Sequence, residues 1–348
     1  MKILKKLASA TLREPVLRKK YLHDFMEVLF LTKPFQTTHQ QLAILNKRGL
    51  TIPDYKRAKQ YLLSNNYYNT INGYSKYFFQ TPNKYQKGAT FDEITYAYLF
   101  DNEVKYTFLK AILEAENHIA SIFAYTFAEF HKNDPDFYLD FASYQPPKRY
   151  KHQLTYTLNQ LQKLLTKHHK KKTSTPINHY QKNHSHVPFW VIINFLTFGE
   201  VVTLIRLAPI SVQNKVAMRF YSFIKQHYHI TSKFTPAIFM SFIENIAEVR
   251  NICAHDNRLW DFKCRDSVKY YPVIHDAYGI INQQAKSDVY NVYIILQCFI
   301  SAHKYDILTK TLKKRFKNFE SKLHSQSINI FLNSLGFPND WHLQEPLK

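Results

Sequence analysis

Glycine occurs only six times in the 348 residues, at 49, 73, 88, 199, 279 and 336. No two of these positions lie close enough to form a loop that cradles a phosphate, so Walker and Rossmann nucleotide sites are excluded. With so few glycines and long apolar runs at helical spacing, the sequence predicts an all-α fold rather than α/β: a multi-helix bundle with a small N-terminal helical subdomain. The hydrophobic share of 45% supports a sizeable core. Tyrosines (25) and phenylalanines (27) are too abundant for disorder over most of the length.

The longest helical pattern covers 91–131, with Asp92 and Glu93 in its first turn, where acids suit a helix N-terminus. Further patterns cover 149–166, 188–207, 211–227, 235–258, 286–307 and 311–334. Ahead of them, one helix stops at Gly49 and another opens after Pro53-Asp54. NNYYNTINGY is expected to turn at Asn72-Gly73, and TPNKYQKGAT to be a loop. VPFWVIINFLTFGEVVTLI carries Asn194, Gly199 and Glu200, and no stretch reaches the ~18–20 apolar residues of a membrane span; it reads as a buried helix. No repeat of fixed period is present. The chain divides into a basic N-terminal arm (1–34), a small subdomain (35–90), a helical core (91–310) and a basic C-terminal helix and tail (311–348). The basic opening MKILKKLASATLREP lacks the apolar core of a signal peptide. Cys253, Cys264 and Cys298 form no CxxC pair and no disulfide framework, which fits a reducing cytoplasm.

The formal charge of +21 points to an anionic partner, nucleic acid first; a solubility surplus of lysine is the alternative. Two basic strips are expected to touch RNA. One holds Lys167, Lys170, Lys171 and Lys172, the other Lys313, Lys314, Arg315 and Lys317. The histidines after KHHKKK (His179, His184 and His186) have no cysteine at short spacing, so neither a metal site nor a cofactor is expected. Tyrosines in NNYYNTINGYSKYFF either pack the small subdomain or stack on unpaired bases.

One stretch, EVRNICAHDNRLW (248–260), breaks an apolar helix with polar residues. On a helical wheel, Phe242, Ile246, Val249, Cys253 and Trp260 share a core stripe. Glu244, Glu248, Asn251, His255 and Arg258 share the opposite one. Arg250 sits about 140° from His255. Periodicity alone permits a solvated helix face, with Arg258 and His255 supporting the last turn. Glu248 and Glu244 are placed either to orient His255 or as plain surface carboxylates. Glu116 and His118, on another helix, either border a cleft or form a structural pair.

RNICAHDNRLW resembles the Arg-x4–6-His signature of HEPN ribonucleases, with Asn251 as the polar residue that follows the arginine. Over roughly 33–260 the chain also resembles Abi-like abortive-infection proteins of the AbiD/AbiF kind. The matching blocks are KPFQTTHQQLAILNKRGLTIPDYKRAKQYLLSNNYYNTINGYSKYF, FDEITYAYLFDNEVKYTFLKAILEAENHIASIFAYTF, PFWVIINFLTFGEV and RNICAHDNRLW. Asn194 departs from the glutamate that the family usually has four residues after the tryptophan at Trp190. The resemblance implies a HEPN-type bundle and a homodimer whose Arg250/His255 pairs face each other across a cleft. It also implies metal-independent endoribonuclease activity in phage defence, with Arg250, His255 and Asn251 catalytic, Glu248 and Arg258 in support, and a small non-coding RNA as a further partner. A non-catalytic RNA-binding protein using the same basic cleft is the alternative. A membrane partner is not expected.

Overall fold

The computed structural model describes residues 35–170, 174–255 and 257–345. The basic arm 1–34 and the expected RNA contacts Lys171 and Lys172 therefore lie outside the described residues. The fold is all-α in character. The one sheet among the described residues is a two-stranded antiparallel hairpin, β1 (Phe79–Thr81) and β2 (Lys84–Tyr85).

That hairpin occupies the start of the stretch expected to be a loop. Asn83 turns it at φ 63°, a conformation that asparagine tolerates. Asn72-Gly73 does not turn: Tyr68–Asn72 is a π-helical turn and Gly73 stays helical at φ −63°. Burial of Ile71, Tyr74 and Phe78 along this coil explains why the segment stays wound against the core. The real reversal is at Gly49 (φ 92°), after α1 (Thr38–Lys47) and before α2 (Tyr55–Ser64), whose N-cap is Asp54.

Helix α3 (Phe91–Phe130) is the 40-residue axis of the molecule. Around it lie α4 (Lys151–His169), α5 (Pro176–Asn183), α6 (Phe198–Leu207), α7 (Ile210–Arg219), α8 (Pro236–Ala254), α9 (Val289–Ile295), α10 (Ala302–Glu320) and α11 (Ile328–Ser334). Helices α8 and α10 pack along α3. Among the described residues no helix is long and apolar enough to cross a membrane.

Several of the expected helical patterns break or end early. The 188–207 pattern breaks at Leu196, because Thr197 and Glu200 form a capping box that starts α6 afresh. The 286–307 pattern breaks at Phe299–Ser301, where Ser301 caps α10, and the 311–334 pattern breaks between Glu320 and Ile328, where Ser327 caps α11. The division drawn at 310/311 therefore falls inside a helix. One contiguous apolar cluster runs from Leu42 to Trp341, so residues 35–90 share their core with the rest.

A buried carboxylate closes the bundle at one end. Glu93 accepts bonds from the His324 and Ser325 amides at 2.8 and 2.7 Å and from the Ser325 hydroxyl at 2.9 Å, while its other oxygen completes the Thr90 cap of α3. Burial pushes this carboxyl up, but the bonds it accepts outweigh burial and hold it below the usual glutamate value. A depressed folded-state pKa contributes stability that is present above the unfolded value and lost as pH falls through the folded one. Thermal melts should therefore show Glu93→Gln less stable than wild type at neutral pH, with the gap narrowing as pH drops below about 4.

Candidate active site

Thr235 and Pro236 open α8, the hydroxyl of Thr235 accepting the Ile238 amide at 3.3 Å. The helix ends at Ala254, four residues before the expected boundary. His255 is its C-cap (φ −104°, ψ 19°), and its amide donates to the Asn251 carbonyl at 3.1 Å. Arg258 and Trp260 thus leave the helical wheel.

What ends the helix is an anchor on α3. The buried Asp101 carboxylate accepts the Leu259 amide at 3.2 Å and the Tyr74 hydroxyl at 2.7 Å on one oxygen, with Lys105 4.0 Å away. Burial raises this carboxyl above the usual range, against the bonds and positive charges that face it. Next to it the Trp260 ring is 4.9 Å from Tyr74, 5.0 Å from Tyr77 and 4.7 Å from Phe331, between centres. The Arg258 guanidinium donates to the Gly73 carbonyl, and Asp261 accepts from Lys76 and Tyr77. The turn carrying His255 is therefore held at both ends, by α8 on one side and by the N-terminal unit on the other.

Asn251 and His255 are exposed, and their side chains make no hydrogen bond to another described residue. Arg250 is half-buried, its Nε 3.5 Å from Glu116 Oε2 on α3. Neither of those two atoms makes a hydrogen bond, and no other acid among the described residues pairs with this guanidinium. Its terminal nitrogens bond no other described residue. Burial raises Glu116 above the ordinary glutamate value, and Arg250 opposes the shift.

Other residues in and around the stretch bond to the scaffold. Glu248 accepts the Arg265 amide at 2.9 Å, tying down the following loop. Glu244 receives Arg206 through two nitrogens at 3.2 and 2.8 Å. Arg258 holds Gly73. Glu116 and His118 do not form a pair with each other: His118 Nδ1 bonds the Phe299 carbonyl at 2.7 Å. Asn194 is exposed and bonds its own helix at the Trp190 carbonyl, 2.8 Å. Cys253 is buried behind the site, and burial pushes its thiol up to about 12, against thiolate formation.

The two basic strips differ in how far their charges are already engaged. Lys167 and Lys170 are exposed at the end of α4. Lys313 donates to the Gln344 carbonyl and lies over Trp341, and Arg315 pairs with Glu103 at 2.7 Å. Lys314 and Lys317 are exposed on α10. In the tyrosine-rich segment Tyr74 is buried while Tyr68 is exposed, so packing claims most of it. His186 pairs with Asp136 at 2.6 Å, and His179 bonds Asn183 at 3.0 Å.

Asp101 escaped the sequence reading. The signal was there: it stands on the apolar face of α3 with Ile94, Ala97, Val104 and Phe108, where a lone carboxylate needs partners.

A family profile described as Abi-like protein matches residues 60–261, a span that includes Glu116, Arg250, Asn251 and His255. No curated protein and no solved structure matches the chain.

Proposed function

Because the chain belongs to the Abi-like protein family, we propose that it is an abortive-infection effector that cleaves RNA as a HEPN-type endoribonuclease. The carrying observation is the division of labour at the end of α8. An exposed imidazole and an exposed amide, neither bonded to another described residue, lie five residues and one residue after a guanidinium that stands 3.5 Å from Glu116.

RNA brings its own nucleophile, the 2′-hydroxyl. His255 takes the 2′-proton as base, the 2′-oxygen bonds to phosphorus, and the 5′-oxygen leaves with a proton returned by an acid. Arg250 takes the negative charge that builds on the phosphoryl oxygens. Asn251 donates to the phosphate or holds the imidazole. The products are a 2′,3′-cyclic phosphate and a 5′-hydroxyl. Asn251 and His255 face outward, so a second copy would complete the site. An exposed apolar stripe on α3, Leu99 (46%), Tyr106 (63%) and Leu113 (42%) at seven-residue spacing, leads towards Glu116 and is the face we assign to that homodimer. A bound small non-coding RNA fits the +21 charge.

End-group analysis of RNA cut by the purified protein tests this reading: cyclic phosphate ends support it, and 3′-hydroxyl ends contradict it. Binding without cleavage by wild type, across varied RNAs, would leave the non-catalytic RNA-binding protein as the reading. Glu116 acts here as a positioning residue. Glu116→Ala should lower kcat by up to about 10²-fold with RNA affinity unchanged, and Glu116→Asp should recover part of the loss. Single-turnover rates read against filter binding check both.

A further inference from the structure

Between α4 and α6 lies a groove of about 430 Å³ to which the Arg250–His255 region contributes no lining residue. Its floor is apolar, built by Leu161, Leu164, Phe195 and Leu204. Into it face Gln153 and Gln160 of α4, whose side-chain amides bond no other described residue. Tyr156, 64% exposed, belongs to the same wall.

The charge around this groove has one sign along α4. The sequence KHQLTYTLNQLQKLLTKHHK (151–170) contains no aspartate or glutamate. Lys163 and Lys167 stand on the rim, and Lys170 continues their stripe, the three spanning about 10 Å along the helix. Glu200 is the acid in the lining, and its carboxylate is engaged by the Thr197 amide and hydroxyl at 2.7 and 2.9 Å.

Each feature answers one part of a nucleotide. A free amide offers both a donor and an acceptor to a base edge. An exposed aromatic ring offers a stacking face, and lysines at helical spacing take the phosphates. A paired base has its edge occupied and its faces covered by neighbours, so only an unpaired base can enter. We propose that this groove is a subsite for an unpaired RNA base, held by Gln153, Gln160 and Tyr156, with the flanking phosphates along Lys163, Lys167 and Lys170. The proposal rests on the reading that the protein binds RNA, and it adds a second point of contact that selects single-stranded segments.

The test uses a fluorescein-labelled 12-nucleotide single strand containing 4-thiouridine, and the same strand annealed to its complement. Fluorescence anisotropy with the full chain should show Tyr156→Ala weakening single-strand binding by about 5- to 150-fold while duplex binding is unchanged. Gln160→Ala should weaken it in the same selective way, and Lys163→Gln with Lys167→Gln should flatten the salt dependence. Ultraviolet crosslinking should place the thiouridine adduct within 151–170 or 195–204. Single-strand affinity unchanged in Tyr156→Ala and Gln160→Ala, with adducts elsewhere, would overturn the subsite and leave the RNA reading intact. Equal weakening of both strands' forms would also overturn it. No binding by wild type to either probe would overturn the subsite and the RNA reading together.

Discussion

His255→Ala should slow RNA cleavage by about 10²–10⁴-fold, the usual contribution of one general acid or base, while RNA affinity stays within about twofold of wild type. The imidazole is exposed and bonds no other described residue, so its removal leaves no buried group unpaired and no cavity. Loss of activity in this variant therefore cannot come from unfolding, which a matched thermal melt verifies. Arg250→Ala should lose about 10²–10³-fold for a different reason, the missing charge on the transition state. It also leaves Glu116 without its partner. The two variants part in stability as well as rate: Arg250→Ala should melt lower than His255→Ala, whose melt should overlay wild type.

Trp260→Ala should produce the largest loss of stability, about 3–5 kcal/mol. The ring is 1% exposed and touches Tyr74 and Tyr77 from the N-terminal unit and Phe331 from α11, so its removal opens a void where distant parts of the chain meet. Such a loss is a large fraction of the ~5–15 kcal/mol that holds a typical domain folded. In a chain of this size it should lower the Tm on the order of 5 °C by circular dichroism. Trp260→Phe, which keeps most of the apolar volume, should lose well under half as much. Cleavage by Trp260→Ala should fall below wild type even at temperatures where it remains folded, because the ring fixes the turn that carries His255. An unchanged melt would show that the turn is not held here.

Where the sequence spoke clearly, local chemistry decided the outcome. The 91–131 pattern became α3 with only its last residue lost, because Thr90 and Glu93 cap it and no glycine or proline interrupts it. The amphipathic pattern around 236–254 was equally legible. Its end was not, since α8 stops where Asp101, 158 positions earlier than Leu259, takes that residue's amide. Periodicity has no access to a partner so far away. The same holds for Arg250: its position off the His255 stripe was readable, but its contact with Glu116 needed the crossing of α8 on α3. Gly73 looked like a turn residue and is helical instead, because neighbouring tyrosines are drawn into the core. The α4–α6 groove was invisible for a similar reason. Half of it comes from α4 and half from a segment roughly 40 positions on, joined only by the fold.

The most direct measurement incubates labelled RNA in EDTA with the purified wild-type protein, His255→Ala and Arg250→Ala, and follows cleavage over time. The account predicts cleavage by wild type alone, leaving cyclic phosphate ends, with all three proteins retaining RNA binding. Equal cleavage by the three proteins, or none by any of them, would contradict it.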